Sequence, residues 1–257
     1  MEWFVNLEGW QQALIATSFT WAMTALGALP VFFCKKISNN AFSFMMSSAA
    51  GIMLASTFFS LLMPAMEIAT DYAFLILTFG FILGGLTIIL TDLLTSKLHI
   101  FADNTKKQSC AVMCIAVTVH NIPEGLAVGV AFGALALGNG VEAVAAMMLA
   151  VGIGIQNFPE GMCVAFPLRA NGMSRRKSFF IGQLSGAVEI VAGVFGAVAV
   201  SVANGILPYA LSFSAGAMVA VVCSELIPES FSSGKVKATM GVTFGFALMM
   251  ILDLAFG

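Results

Sequence analysis

The sequence predicts an all-α fold, that of a polytopic membrane protein with eight transmembrane helices. Of its 257 residues, 60% are hydrophobic and only 9% are charged, whereas a soluble domain is roughly 45–50% apolar and about 25% charged. Apolar runs close to the ~20 residues that cross a bilayer as a helix recur along the whole chain. The alternating segments of a transmembrane β-barrel are absent from the sequence. No soluble domain is left over, and no nucleic-acid partner is expected beside the lipid bilayer.

Short polar breaks separate the predicted helices. They include KKISNN at 35–40, SKLHIFADNTKKQS at 96–109 and RANGMSRRK at 169–177, with the Gly, Asn and Ser content typical of loops. The N-terminal segment lacks the basic region of a signal peptide, so the first helix is expected to remain in the mature protein. The predicted helices, which form a single transmembrane domain over 1–257, span 10–34, 41–68, 72–95, 109–137, 142–168, 178–203, 208–231 and 238–256.

The 11 Lys and Arg residues of the chain predict its orientation. All of them lie in or beside the breaks that follow helices one, three, five and seven, at positions 35, 36, 97, 106, 107, 169, 175, 176, 177, 235 and 237. With eight helices these loops share one side of the membrane, which the positive-inside rule assigns to the cytoplasm. Both termini are then expected outside the cytoplasm. Because organelle and secretory signals are absent, the expected location is the plasma membrane, in its prokaryotic cytoplasmic form.

Two similar motifs place polar residues inside predicted helices four and five. TVHNIPEGLAVG contains His120 and Glu124, and GIQNFPEGMCVA contains Gln156 and Glu160. These helices form a hairpin, so the two motifs meet at one depth in the membrane. About 14 Å of helix separates Glu160 from Arg169, which puts that depth near the bilayer midplane. The proline of each motif is expected to free a backbone carbonyl beside these side chains.

A third carboxylate is expected at the same level. Glu189, in SGAVEIVAG of predicted helix six, lies about 18 Å along the helix from Lys177. The predicted spans contain no Lys or Arg to pair with the three glutamates, and each ionised one would cost roughly 2.5–3.5 kcal/mol in the membrane. A cation or protons must supply the missing charge. The i, i+4 spacing within each motif favours a metal ion, with Asn121 and Asn157 as further oxygen donors.

Helices two and seven carry a weak repeat that runs in opposite directions across the membrane. They read AAGIMLASTFFSLLMPAME at 49–67 and SAGAMVAVVCSELIPES at 214–230. Such repeats are typical of transporters whose substrate site lies at the midplane, and they favour transport over catalysis. The alignment predicts an outer vestibule with Ser60 and Glu67, an inner vestibule with Glu225 and Glu229, and Met53 near the glutamate layer.

The sequence resembles the ZIP (Zrt/Irt-like protein) family of divalent metal transporters through HNIPEG in helix four, QNFPEG in helix five and the glutamate of helix six. The Gln-initiated motif resembles the GufA-like branch. The resemblance implies inverted repeats of helices one to three and six to eight around the four-five hairpin, a homodimer, and transport of Zn²⁺ or related ions into the cytoplasm. It places metal ligands at Met53, His120, Asn121, Glu124, Gln156, Asn157, Glu160 and Glu189.

Several positions depart from the pattern of the family. The family often has two adjacent metal positions bridged by glutamates, and Asn157 offers a neutral oxygen where a carboxylate would strengthen the second. Gln156 stands where many relatives have histidine, which shifts the site toward oxygen donors and implies loose selectivity among Zn²⁺, Cd²⁺, Fe²⁺, Mn²⁺ and Co²⁺. The loop between helices three and four has only His99 and Asp103 as candidate ligands, so a metal-sensing loop is not expected.

Three other interpretations remain open at this point. The buried carboxyls could form a purely structural hydrogen-bonded network. An intramembrane metalloenzyme usually needs two imidazoles and a general base, as in HExxH, whereas the membrane region here has one histidine. A proton-conducting channel would be active without any metal ion.

Overall fold

The computed structural model describes residues 2–34, 38–69, 72–97, 105–138, 141–202, 204–231 and 234–256. Within these ranges all regular structure is helical, and 8 helices are long and apolar enough to cross a membrane. The predicted all-α fold with eight transmembrane helices is confirmed. A short helix, Glu2–Val5, precedes them.

The first four membrane helices are α1 (Gly9–Ala28), α2 (Asn39–Ile68), α3 (Ala73–Ser96) and α4 (Thr105–Ala136). The prediction continued helix one to residue 34, but α-helical geometry ends at Ala28 and a 3₁₀ turn, Leu29–Phe32, follows. This turn contains Pro30, which has no N–H to donate to a helical hydrogen bond. In α4, the motif proline Pro123 lies inside a continuous helix.

The last four membrane helices are α5 (Ala143–Ala170), α6 (Arg175–Val202), α7 (Leu207–Ser230) and α8 (Lys235–Phe256). α5 also continues past its motif proline, Pro159. With 28 residues each, α5 and α6 exceed the ~20 residues needed to cross the hydrocarbon core. Their ends therefore reach beyond it, or the helices tilt.

α2 and α7 share an irregularity. Each contains a π-helical segment, Thr57–Leu62 in α2 and Val222–Leu226 in α7, and each segment is followed closely by a proline, Pro64 or Pro228. A proline ring clashes with the carbonyl of the residue four positions earlier, and a wider π turn relieves that clash. π segments often occur at functional sites.

Small residues at the helix contacts bring the central helices close together. α1 packs on α5 and α6, α4 packs on α6, α2 packs on α8, and α3 packs on α7. A Cβ atom at Gly125 of α4 would overlap the backbone of Glu189 in α6, and one at Gly161 of α5 would overlap the backbone of Thr24 in α1. The motif segments of α4 and α5 therefore lie directly against α6 and α1.

The membrane helices differ in how deeply they are enclosed. Within its apolar window α4 is 72% buried, whereas α3 and α8 are each 22% buried. α4 therefore lies at the centre of the bundle, and α3 and α8 lie at its periphery. The polar residues of the two motifs are on the enclosed helices.

Candidate metal centre

The predicted midplane residues are all buried. His120, Asn121 and Glu124 of α4, Gln156, Asn157 and Glu160 of α5, and Glu189 of α6 are between 0% and 6% exposed. Glu124 interacts electrostatically with both Glu160 and Glu189, so the three predicted carboxylates lie in one cluster.

A hydrogen bond joins the two motifs directly. Nε2 of Gln156 in α5 donates to Oε1 of Glu124 in α4 over 2.9 Å. This bond uses the amide nitrogen of Gln156 and one carboxylate oxygen of Glu124. The other oxygens, Oε1 of Gln156 and Oε2 of Glu124, are buried without a hydrogen-bond partner in the structure described.

Both asparagines anchor their amide nitrogens on neighbouring helices. Nδ2 of Asn121 donates to the carbonyl oxygen of Ser185 in α6 over 2.9 Å. Nδ2 of Asn157 donates to Glu189 over 2.8 Å and to the carbonyl oxygen of Thr20 over 3.2 Å. With their nitrogens held in this way, the Oδ1 atoms of both asparagines are buried and lack a hydrogen-bond partner among the described residues.

Six of the seven predicted midplane side chains share one property. In the described part of the chain each of the six carries a buried atom that has no hydrogen-bond partner: His120 Nε2, Asn121 Oδ1, Glu124 Oε2, Gln156 Oε1, Asn157 Oδ1 and Glu160 Oε2. The five oxygens are acceptors, as is the imidazole nitrogen in its unprotonated form. A buried unsatisfied polar group costs about 1–3 kcal/mol. Each of these atoms suits a divalent cation, since carboxylate, amide carbonyl and imidazole are all metal ligands.

Glu189 is the exception among these seven residues, which together are called the midplane layer below. Thr20 of α1 donates its hydroxyl to Oε2 of Glu189 over 2.5 Å, and Asn157 donates to both carboxylate oxygens. Sequence reasoning did not single out Thr20. A usable signal was present, because Thr17, Thr20 and Thr24 recur at helical spacing in an apolar segment and all three are fully buried.

A second cluster lies beside the first. Asp92 of α3, His120 of α4 and Glu225 of α7 each offer a ligand atom, and these atoms lie within 4.8 Å of one another. Nε2 of His120 is 3.7 Å from Oδ1 of Asp92. Sequence reasoning placed His120 in the midplane site and Glu225 in an inner vestibule, and it missed Asp92. The signal was again available, since Asp92 is the one acidic residue in the sequence of α3.

The remaining predicted residues are distributed over α2 and α7. Met53 is fully buried in the main hydrophobic core, whereas Glu67 and Glu229 are exposed. Ser60 donates to Oδ1 of Asp253 in α8 over 2.9 Å, a partner that sequence reasoning also missed. The loop positions 99 and 103 lie outside the described residues.

The fold and the buried layer of acceptor atoms define an integral membrane protein that carries a cation. Residues 102–253 match the profile of the family described as "ZIP Zinc transporter". The chain therefore belongs to the ZIP family of zinc transporters, as the motif resemblance implied, and it is a transporter of divalent metal ions rather than an enzyme.

Individual relatives match nearly the whole chain. It is 37% identical to zinc transporter ZIP11 of Homo sapiens, over 96% of this chain and 97% of the relative. It is 38% identical to zinc transporter GufA of Myxococcus xanthus, over 95% and 98% of the two chains. It is also 33% identical to zinc transporter ZIPB of Bordetella bronchiseptica, over 95% of this chain and 81% of the relative.

Proposed function

We propose that this chain moves Zn²⁺, and with looser preference Cd²⁺, Fe²⁺, Mn²⁺ and Co²⁺, across the plasma membrane into the cytoplasm through the midplane layer. One observation carries the proposal: among the described residues, five buried oxygens of the α4 and α5 motifs lack hydrogen-bond partners, and all of them suit a cation. Zinc itself is inferred from the names of the similar transporters. The mixed oxygen and nitrogen donors support the broader range of ions.

In this proposal the residues of the layer replace the water around the ion. Glu124 and Glu160 supply negative charge at a depth where an unpaired carboxylate costs roughly 2.5–3.5 kcal/mol. Gln156 and the two asparagines supply carbonyl oxygens, and their nitrogens are already bound to neighbouring groups. Because the donors are preorganised, the ion binds without much reordering of side chains.

His120 connects the layer to the inner side. It is on the same α4 face as Glu124, one turn away, and its Nε2 faces Asp92 and Glu225. We infer that a departing ion passes from the layer to this second cluster and then to Glu229 at the inner end of α7. On the outer side, Ser60 and Glu67 would receive the ion, and Met53 would add a thioether ligand.

An inverted repeat would provide alternating access. The π segments of α2 and α7, each with its proline, support an equivalence between these helices. The packing also supports it, because α1 packs on α5 as α6 packs on α4, and α2 packs on α8 as α7 packs on α3. In such transporters one repeat moves against the other around a fixed midplane site.

Topology and assembly are part of the proposal. We infer that the loops after α1, α3, α5 and α7 face the cytoplasm, that both termini lie outside it, and that the protein forms a homodimer. A single cysteine placed in each loop of a cysteine-free protein, labelled from one side of sealed vesicles, would test the orientation.

The transport proposal is tested in sealed proteoliposomes. A fluorescent dye inside the vesicles reports Zn²⁺ or Cd²⁺ arrival for the wild type and for Glu160→Gln and His120→Ala. Saturable metal flux that falls in both variants supports the proposal. Proton flux without metal flux, or metal flux that survives both changes, contradicts it and would instead favour the proton-channel or structural-network interpretation.

A further inference from the structure

Glu189 differs from the other two buried glutamates in how its carboxylate is satisfied. Oε2 lies 2.5 Å from the Thr20 hydroxyl and 3.0 Å from Nδ2 of Asn157, and Oε1 lies 2.8 Å from the same nitrogen. Glu124 and Glu160 each keep a buried Oε2 with no hydrogen-bond partner in the part of the chain described. The layer thus contains two carboxylates that are open to a ligand and one that protein donors already hold.

Thr20 and Asn157, the two residues that donate to Glu189, use their side-chain hydrogens in these hydrogen bonds. A hydroxyl has one hydrogen, and of the two acceptors near Thr20, Glu189 is closer than the Thr17 carbonyl, which lies 3.0 Å away. The amide of Asn157 has two hydrogens, one directed to Glu189 and the other to the carbonyl oxygen of Thr20. A metal ion that bound Oε2 of Glu189 would have to displace a donor from α1 or α5, because Thr20 and Asn157 already use both lone pairs of that oxygen. Hydrogen bonds to an ionised carboxylate are among the stronger ones in proteins.

The same contacts determine where Asn157 directs its oxygen. Since Nδ2 is held by Glu189 and by the Thr20 carbonyl, Oδ1 occupies the opposite side of the amide. Oδ1 is buried and has no hydrogen-bond partner among the described residues. Glu189 therefore orients a neutral oxygen donor for the ion.

We propose that Thr20 and the Asn157 amide hold Glu189 as a hydrogen-bond acceptor, so that the midplane layer binds one divalent cation through Glu124 and Glu160. The inference rests on the proposed function and specifies its stoichiometry. Thr20 is a positioning residue, because it acts on the ion through Glu189 and Asn157. Glu189 then orients the site without ligating the metal, in contrast to the ligand set that the family resemblance implies.

The test is a count of bound ions on the purified, detergent-solubilised protein. Equilibrium dialysis against Cd²⁺ with elemental analysis gives ions per chain, and Glu225→Gln is used as the background because it removes a ligand of the second cluster. This background protein is expected to bind one Cd²⁺. Adding Thr20→Val, which keeps the shape but removes the hydroxyl, takes away one of the two donors to Oε2 of Glu189 and should introduce a second, weaker ion. Thr20→Ser, which keeps the hydroxyl, should leave the count at one.

Two results would overturn the inference. One is a count of two ions in the Glu225→Gln protein, and the other is a count of one in folded Thr20→Val protein on that background. A residue that only filled space would change thermal stability without changing the count.

If Thr20→Val does not fold, Asn157→Asp takes its place. Its carboxylate cannot donate to Glu189, so two ions are expected, and a single ion overturns the inference. A background protein that binds no Cd²⁺ contradicts the proposed function itself, so the two failures are distinguishable.

Discussion

Nε2 of His120 lies 3.7 Å from Oδ1 of Asp92, so the histidine of the α4 motif faces a carboxylate of the peripheral helix α3. Four residues further along α4, Glu124 takes part in the midplane layer. His120 therefore lies between two groups of ligands, the layer on one side and the cluster with Asp92 and Glu225 on the other. This relationship gives the histidine a transfer role in the proposed path.

Replacing Asp92 with Asn should slow metal release more than it weakens binding. The change removes a charge from the second cluster and leaves the midplane donors intact. We expect the maximal flux in proteoliposomes to fall about tenfold, equivalent to about 1.4 kcal/mol, while the number of Cd²⁺ ions bound to the midplane layer is unchanged. Glu142→Gln, at an exposed N-cap of α5, is the control and should transport like the wild type. Unchanged flux in Asp92→Asn would remove this cluster from the path.

Gln156→His should alter which metal is preferred. Imidazole favours Zn²⁺ over harder ions such as Mn²⁺ more than an amide oxygen does. We expect the ratio of Zn²⁺ to Mn²⁺ transport rates to rise several-fold, roughly in line with a gain of about 1 kcal/mol for the softer ion. Competition between the two ions in dye-loaded vesicles measures this ratio. A ratio equal to that of the wild type would mean that the side chain at position 156 does not contact the ion.

The contact between Ser60 and Asp253, which lies at the outer end of the proposed path, should affect capture of the ion. Asp253 accepts the 2.9 Å hydrogen bond of Ser60 through Oδ1, and its Oδ2 is buried without a hydrogen-bond partner in the residues described. We expect Asp253→Asn to raise the KM for Zn²⁺ several-fold with little change in maximal flux, because a charge near the outer end of the path raises the local cation concentration. Ser60→Ala, which removes the donor of this hydrogen bond, should shift the KM less than Asp253→Asn does. Its control is Ser48→Ala, at a half-buried serine of the same α2 helix. Equal KM values for Asp253→Asn and wild type would exclude this role.

Gly125→Ala should destabilise the bundle. A Cβ at this position would overlap the backbone of Glu189, so α4 and α6 would have to separate at the level of the site. We expect a loss of about 1–3 kcal/mol, visible as a lower unfolding temperature in detergent. Gly85→Ala is the matched control, because its Cβ would meet only the carbonyl oxygen of Gly216 at 3.5 Å. If the two variants were equally stable, close packing at Gly125 would not support the site.

Much of the candidate site could be predicted from the chain alone. Glu124 and Gln156 were expected at one depth because a helix rises 1.5 Å per residue and both motifs can be measured from the same loops. The structure joins these two side chains by a hydrogen bond of 2.9 Å. Thr20, Asp92 and Asp253 were missed because each contributes from a helix other than α4, α5 and α6, which carry the two motifs and Glu189. Periodicity shows which face of a helix is polar, but not which helix that face meets.

The sequence by itself determined the membrane class, the eight-helix count and the level at which the two motifs meet. Bilayer thickness requires about 20 apolar residues per helix. A carboxylate inside the membrane is energetically costly, so it marks a functional position. Both constraints act locally along the chain. Only the tertiary structure decided that Thr20 and Asn157 donate hydrogen bonds to Glu189. It also decided that Glu124 and Glu160 each keep an oxygen without a hydrogen-bond partner among the described residues, and that His120 faces Asp92. These outcomes depend on helix rotation and neighbour choice, which close packing across the whole bundle decides.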